Sequence, residues 1–422
     1  MIPRRFDVRA GEIPEEGVPL VQPWRRIRID PEYAGAWVVA GDVDGDGAVE
    51  ILSARNVDRN DVHHTCSVIV HRLDGSVLWR WGNPAAGRNE LHHDVACQIH
   101  DWDGDGKNEV IVAADSQLIE LDGATGEEKR RLPIPRDASD CIVFADLAGR
   151  GRPEEILVKT RYGQIWAYDR AGRMLWTIEA PAGFMTAHQP RPIDIDGDGR
   201  DEIMAGYAML DPDGRVRWDL AGSGLPMAPG HLDCVRVYQP GPTPADFRLV
   251  LTCCSAGCIA MIDGEGRPVW SVTGHHFESI DVGRPCPDVP EKQILVDVDH
   301  AQWGEGPLWL LDGNGQLLGR IVTDQSRHHL LVDWTGTGAD SILAAQAHAM
   351  LDGEGRKIAV LDPPAAEGRD PVIASAGNLT GEGRADLLLG TSPGREVCIY
   401  RNENGKPPRP ARSGTGLNFT LY

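Results

Sequence analysis

The stretch L-H-H-D-V-A-C-Q-I-H-D-W-D-G-D-G-K-N-E-V, from Leu91 to Val110, decides the fold. Within it Asp101, Asp103, Asp105 and Glu109 hold positions 1, 3, 5 and 9 of a D-x-D-G-D-G-x-x-E loop. Hard oxygen donors at alternate positions suit a calcium-sized cation, and the glycines let the backbone wrap round it. An EF-hand would place its bidentate acid at position 12, between two helices. Here the acid comes early, at Glu109, and Val-Ile-Val follows at once, so the loop joins two strands.

The same loop returns at Asp42 (D-V-D-G-D-G-A-V-E) and Asp194 (D-I-D-G-D-G-R-D-E), and in degenerate form at Asp146, Asp333 and Asn378. Two more units, near Gln239 and Arg284, keep the flanking strands without the loop. The units stand mostly about 45 residues apart, a spacing that marks a repeat. A second marker keeps the same period: D-G-S-V-L-W, R-A-G-R-M-L-W, P-D-G-R-V-R-W and G-E-G-R-P-V-W, with D-G-N-G-Q-L-L-G and D-G-E-G-R-K-I-A lacking the tryptophan. Each unit therefore reads as about four short strands joined by tight turns, the pattern of a propeller blade. No unit holds an amphipathic helical pattern, which argues against a βαβ solenoid.

The expected fold is all-β: a single β-propeller of eight blades, or seven if one terminal unit is an accessory. Residues 1–22 read as an extended N-terminal lead, 23–405 as the propeller, and 406–422 as a C-terminal tail able to dock as a closing strand. The segment from Pro23 to Ile29 is expected to close the ring against the last blade.

With 42 Lys plus Arg against 63 Asp plus Glu, the net charge of −21 argues against nucleic acid or an anionic membrane as partner. Nine cysteines without a C-x-x-C pair read as reduced and mostly buried. No apolar run reaches the roughly 18 residues of a membrane helix. The N-terminus lacks a signal-peptide core, so the expected location is cytoplasmic; the alternative is a secreted or periplasmic protein with its signal removed. Ca2+ is the expected cofactor, held by Asp42, Asp44, Asp46 and Glu50, by Asp101, Asp103, Asp105 and Glu109, and by Asp194, Asp196, Asp198 and Glu202, chiefly to stiffen the loops.

The first strand of a propeller blade lines the central channel. Five units carry histidine just before it: His92 and His93, His188, His231, His275 and His276, and His328 and His329. These are eight of the 14 histidines, and packing alone gives no reason for that bias. His93, His231 and His276 stand eight residues before their loop anchor, His188 six and His329 four; all are even, so strand alternation puts them on equivalent sides. Taken singly, each is equally well read as a structural residue bonded to loop backbone. As a ring, they offer a general base near neutral pH or neutral nitrogen ligands. Cations enter at similar heights through Lys159, Arg161, Arg191 and Arg327, beside Tyr162, although solvated surface arginine is the plain alternative. Trp102, Trp303 and Trp334 fall in loops and could stack on sugars. No nucleophile elbow, P-loop or Rossmann fingerprint is present.

Five segments in order carry a more specific likeness: S-V-I-V-H-R-L-D-G-S-V-L-W from Ser67, the run from His92 to Val110, R-P-E-E-I-L-V-K-T-R-Y-G from Arg152, A-H-Q-P-R-P-I-D-I-D-G-D-G-R-D-E-I-M-A-G from Ala187, and Gly230-His-Leu-Asp. Over residues 35–345 they resemble the rhamnogalacturonan lyases of polysaccharide lyase family 11, calcium-containing eight-bladed propellers. One segment departs, since the family's G-H-G-D-A-L-H reads G-H-L-D-C-V-R here. The resemblance implies β-elimination at a uronic acid 4-linked to rhamnose, with an acidic polysaccharide or oligosaccharide as partner. It implies His93 or His188 as base, Arg161 with Lys159 on the carboxylate, Tyr162 or His276 as acid, and calcium at the site as well as in the loops. His92, Arg191, His231, His275, Arg327, His328 and His329 then line the substrate. A glycoside hydrolase of the same linkage, or a noncatalytic calcium-stabilised carbohydrate-binding propeller, are the alternatives.

Overall fold

Residues 4–59, 62–87, 94–227, 230–254, 256–299, 305–324, 327–365, 372–391, 395–407 and 417–418 are described by a computed structural model. The period-2 apolar runs on either side of each acidic loop form antiparallel neighbours, and among the described residues the strands make eight sheets. These are the blades of an eight-bladed propeller. Their innermost strands, in order, are Trp37–Gly41, Cys97–His100, Ile142–Ala145, Thr186–Ile193, Leu232–Gln239, Phe277–Gly283, His329–Val332 and Val372–Gly377. Buried apolar clusters lie between successive sheets, so each blade covers one face of the next.

The ring is closed by Arg25–Arg28, which pairs antiparallel with Glu396–Tyr400 as the outer strand of blade 8. The segment expected to close the ring does so. Upstream, Phe6–Arg9 runs parallel to Leu317–Asp324 on the outer edge of blade 6, and Leu20–Val21 runs parallel to Lys357–Leu361 on blade 7. Leu417–Asn418 pairs antiparallel with Ala40 and Val39 of blade 1, on the channel side.

The tryptophan marker has a packing role. Trp79, Trp176, Trp218 and Trp270 each donate Nε1–H to a carbonyl in the next blade's turn, at Gly123, Pro212, Gly264 and Gly313, over 2.7–3.0 Å. Each ring lies on a glycine; a Cβ at Gly266 (φ +79°) would stand 2.7 Å from Trp218. Blade 6 has Gly319 where the tryptophan would be. Phe6 fills that position from the N-terminal strand: it is the partner of Gly319, and a Cβ at Gly355 of blade 7 would stand 2.7 Å from its ring. A residue more than 300 positions away thus completes the seam.

None of the nine cysteines is in a disulfide, and seven are buried. Among the described residues no helix is long and apolar enough to cross a membrane.

Candidate active site

Where a blade carries them, the acidic loop ends the inner strand and the histidine position begins it. His188 opens Thr186–Ile193 and Asp194 follows its end, a separation of roughly 20 Å at 3.3 Å per residue. The two features occupy opposite faces of the ring.

On the loop face, Asp42, Asp44 and Glu50, Asp101, Asp103 and Glu109, and Asp194, Asp196 and Glu202 each bring carboxylate oxygens within 4.8 Å of one another. Asp46, Asp105 and Asp198 stand outside these trios; each accepts from the backbone N–H two residues on. Burial, reinforced by neighbouring aspartates, pushes Glu50 and Glu202 up to about 7. Oxygen-only donors with surplus negative charge fit a hard cation such as calcium. All three loops also carry a basic side chain: Arg72 lies 3.4 Å from Asp44, Lys129 Nζ lies 2.8 Å from Asp103 and 2.7 Å from Glu109, and Arg217 lies 2.7 Å from Asp196 and 2.9 Å from Glu202. A cation there would compete with that side chain for the same oxygens.

The opposite mouth is built where inner strands begin and second strands end. Antiparallel pairing brings those ends together, as in Leu232 opposite Cys253. Asp94, before the inner strand of blade 2, is fully buried and accepts from Arg161 Nη1 at 2.6 Å; its Oδ2 also meets His188 Nδ1 at 2.7 Å. That contact assigns the Nδ1 proton to His188 and leaves Nε2 as acceptor, 3.3 Å from the Tyr162 hydroxyl. Burial first, then Arg161 and Lys159, hold His188 well below the usual histidine range, so the ring is neutral. Burial raises Tyr162, so its hydroxyl keeps the proton. Tyr162 stacks on His231 at 4.0 Å between centroids, with the Arg161 guanidinium 4.8 Å from the Tyr162 ring centroid. Lys159 lies beneath, at 0% exposure, with Nζ 3.2 Å from Asp140, also at 0%.

A second group adjoins the first. His231 Nε2 lies 3.0 Å from Asp233 Oδ1, and His188 Nε2 lies 3.5 Å from the same oxygen. Cys254 Sγ lies 3.1 Å from His276 Nε2, and these two form a cluster with Asp233 in which all donor atoms are within 4.8 Å. Arg327 reaches Glu278 at 3.1 Å, beside His276. Imidazoles and a thiol outnumber carboxylates here, and this donor set does not suit calcium.

The mouth thus gathers Lys159, Arg161, Tyr162, His188, His231, His276 and Arg327. His275 turns outward at 42% exposure and pairs with Asp299 at 2.8 Å. His328 takes a left-handed backbone (φ 56°) and is buried, which lowers it to about 3; His329 is buried at the start of blade 7. Arg191 lies within the inner strand of blade 4, opposite Met204. His92, His93 and Trp303 lie outside the described residues. Trp102 is a correction: it is fully buried, donating Nε1–H to Glu154 O at 2.9 Å and edge-on to Phe144, so it offers sugars no surface. Asp94, Asp140, Asp233 and Glu278 escaped the sequence reading. A signal existed, because blades 2, 3, 5 and 6 each place an acid at or just before the inner strand.

Fold and mouth together define an eight-bladed propeller with a buried, charge-rich site at one end of its channel. Its relatives in sequence are rhamnogalacturonan lyases. The chain is 27% identical over 263 residues to rhamnogalacturonan endolyase YesW of Bacillus subtilis, covering 48% of this chain and 42% of the relative. It is 27% identical over 292 residues to rhamnogalacturonan exolyase YesX of the same organism, covering 54% and 46%. The chain thus spans less than half the length of these curated relatives. No family model matches it. Among solved structures, the Bacillus licheniformis rhamnogalacturonan lyase PL11 superposes with a TM-score of 0.64 at 19% identity, covering 94% of this chain and 76% of that one. The Vibrio cholerae biofilm matrix protein Bap1 superposes at 0.61 and 14% identity, a likeness of fold alone.

Proposed function

We propose that this chain is a polysaccharide lyase that cleaves a rhamnose and uronate glycan of the rhamnogalacturonan type by β-elimination at the histidine-lined mouth. Elimination needs a cation against the uronate carboxylate, a base for the C5 proton, and an acid for the departing oxygen. The observation that carries the reading is the Asp94–His188–Tyr162 chain beside Arg161. Asp94 fixes the His188 tautomer, and neutral His188 presents Nε2 as the base. Tyr162, kept protonated by burial, is the acid. Arg161 is 18% exposed and is the cation best placed to meet a carboxylate, whereas Lys159 is sealed beneath on Asp140. His276 is less suited to the acid role, since its Nε2 lies against Cys254. Calcium in the oxygen-only loops, on the far face, would stiffen the strands that carry these residues. The relatives named rhamnogalacturonan lyases support the substrate class.

One observation favours the noncatalytic reading: Lys159 and Arg161 already face Asp140 and Asp94. Incubation with rhamnogalacturonan, ulvan and gum-type glycans separates the readings. A lyase generates absorbance from a new double bond conjugated with the carboxylate; a hydrolase releases sugar without it. Binding without release on every glycan would overturn the proposal.

A further inference from the structure

The donors around Asp233 are unlike those of the acidic loops, and calcium does not account for them. Asp233 is buried at 1% exposure, and among the described residues neither of its carboxylate oxygens meets hydrogen-bond geometry, with the Cys254 thiol as candidate donor. Nε2 of His231 does not meet it either; it lies 3.0 Å from Asp233 Oδ1 but off the line of a hydrogen bond. A buried carboxylate left in this condition costs several kcal/mol unless a cation or proton answers it. Glu278 and Asp297 add further negative charge around Asp233. On its other side stand the Cys254 thiol and the His276 imidazole, 3.1 Å apart.

The backbone holds these donors in place. Tyr207 donates its hydroxyl proton to the His231 carbonyl at 2.6 Å, and Cys254 N–H donates to the same carbonyl at 2.9 Å. His276 N–H donates to Asp299 at 2.9 Å. Each donor lies at the start of an inner strand or at the end of its neighbour.

We infer that Asp233, Cys254 and His276 form a site for a borderline-soft divalent cation of the zinc class, with His231 beside it, 3.0 Å from Asp233 Oδ1. One imidazole nitrogen, one thiolate sulfur and one carboxylate oxygen, with a fourth position left open, make the mixed donor set that zinc takes and that calcium, with its six to eight oxygens, does not. On binding, the Cys254 thiol loses its proton to solvent, and the resulting thiolate, with the Asp233 carboxylate, balances the two positive charges. His188 stays outside the set, anchored to Asp94 and facing Tyr162. The inference does not rest on the lyase reading, because it concerns which metal the chain holds without substrate.

The test loads the chelator-treated full chain with one equivalent of Co2+ in excess calcium, which occupies oxygen-only sites, and then measures Zn2+ affinity by competition with a chromophoric chelator. The expected result is a thiolate-to-cobalt charge-transfer band in the near ultraviolet and tight, calcium-resistant zinc binding. Cys254→Ser should lose the band while still binding cobalt, and Asp233→Asn should weaken zinc at least about tenfold, both with unchanged circular dichroism. The inference is overturned if calcium displaces zinc, if the band persists in Cys254→Ser, or if the affinities of both variants equal that of the parent. A chain that binds zinc in this way yet yields no unsaturated product would leave the site standing and remove the lyase reading.

Discussion

Lys159 and Asp140 offer a sharp test of how the mouth is built. Both are at 0% exposure, 3.2 Å apart. At an effective dielectric of about 20, that separation corresponds to an attraction of about 5 kcal/mol, set against the desolvation of both ions. Removing one partner leaves the other charged and buried, so Lys159→Met is expected to cost about 3–5 kcal/mol. Asp140→Leu alone should cost a similar amount. The double variant removes one charge of each sign, and Arg161 with Asp94 remains balanced, so it should recover most of the loss. Urea unfolding of the four proteins closes the cycle. A Lys159→Met chain as stable as the parent, or a double variant no better than either single one, would refute the reasoning. The double variant should also keep its turnover, whereas Arg161→Met should lose it; the reverse would make Lys159 the carboxylate ligand.

Other outcomes follow from the same structure. Tyr162→Phe removes the proposed acid and should lower kcat about 10²- to 10⁴-fold with little change in KM. Glu50 and Glu202, at about 7 in the folded chain against an ordinary 4.5, hold protons that the unfolded chain has released. In chelator, stability should therefore fall as pH rises from about 4.5 to about 7, and thermal melts with added calcium should flatten that slope. His231 shifts the other way, to about 3 against 6.5, so acidification through that window should destabilise the chain, and His231→Gln should shrink the effect. Phe6→Ala empties the seam between blades 6 and 7 and should cost about 3 kcal/mol in urea unfolding.

The blades were legible because their grammar is local. A loop of nine residues and a D-G hairpin six residues long declare themselves in any window of the chain, and counting them yields eight sheets. Phe6 was not legible, because nothing near it says that blade 6 lacks a tryptophan. The mouth divides in the same way. The repeat marks which histidines begin inner strands, but their fates depend on partners from other blades: Asp94 in blade 2 holds His188 of blade 4 and Arg161 of blade 3, and Cys254 meets His276 across the seam between blades 5 and 6. Backbone conformation separates the rest, since the left-handed turn at His328 and the Asp299 contact at His275 follow from no spacing rule. Lys159 and Arg161 look alike in sequence, yet one is sealed and the other stays partly exposed.

The central claim is that the mouth eliminates rather than hydrolyses, and the mass of the first product on a defined rhamnogalacturonan oligosaccharide tests it most directly. Elimination places a double bond in the new non-reducing uronate, and that fragment must weigh one water less than its hydrolytic counterpart. This lighter fragment is expected, and it should be absent with His188→Ala and with Tyr162→Phe. A fragment carrying the full mass of the added water, or an oligosaccharide that binds and is recovered intact, would contradict it.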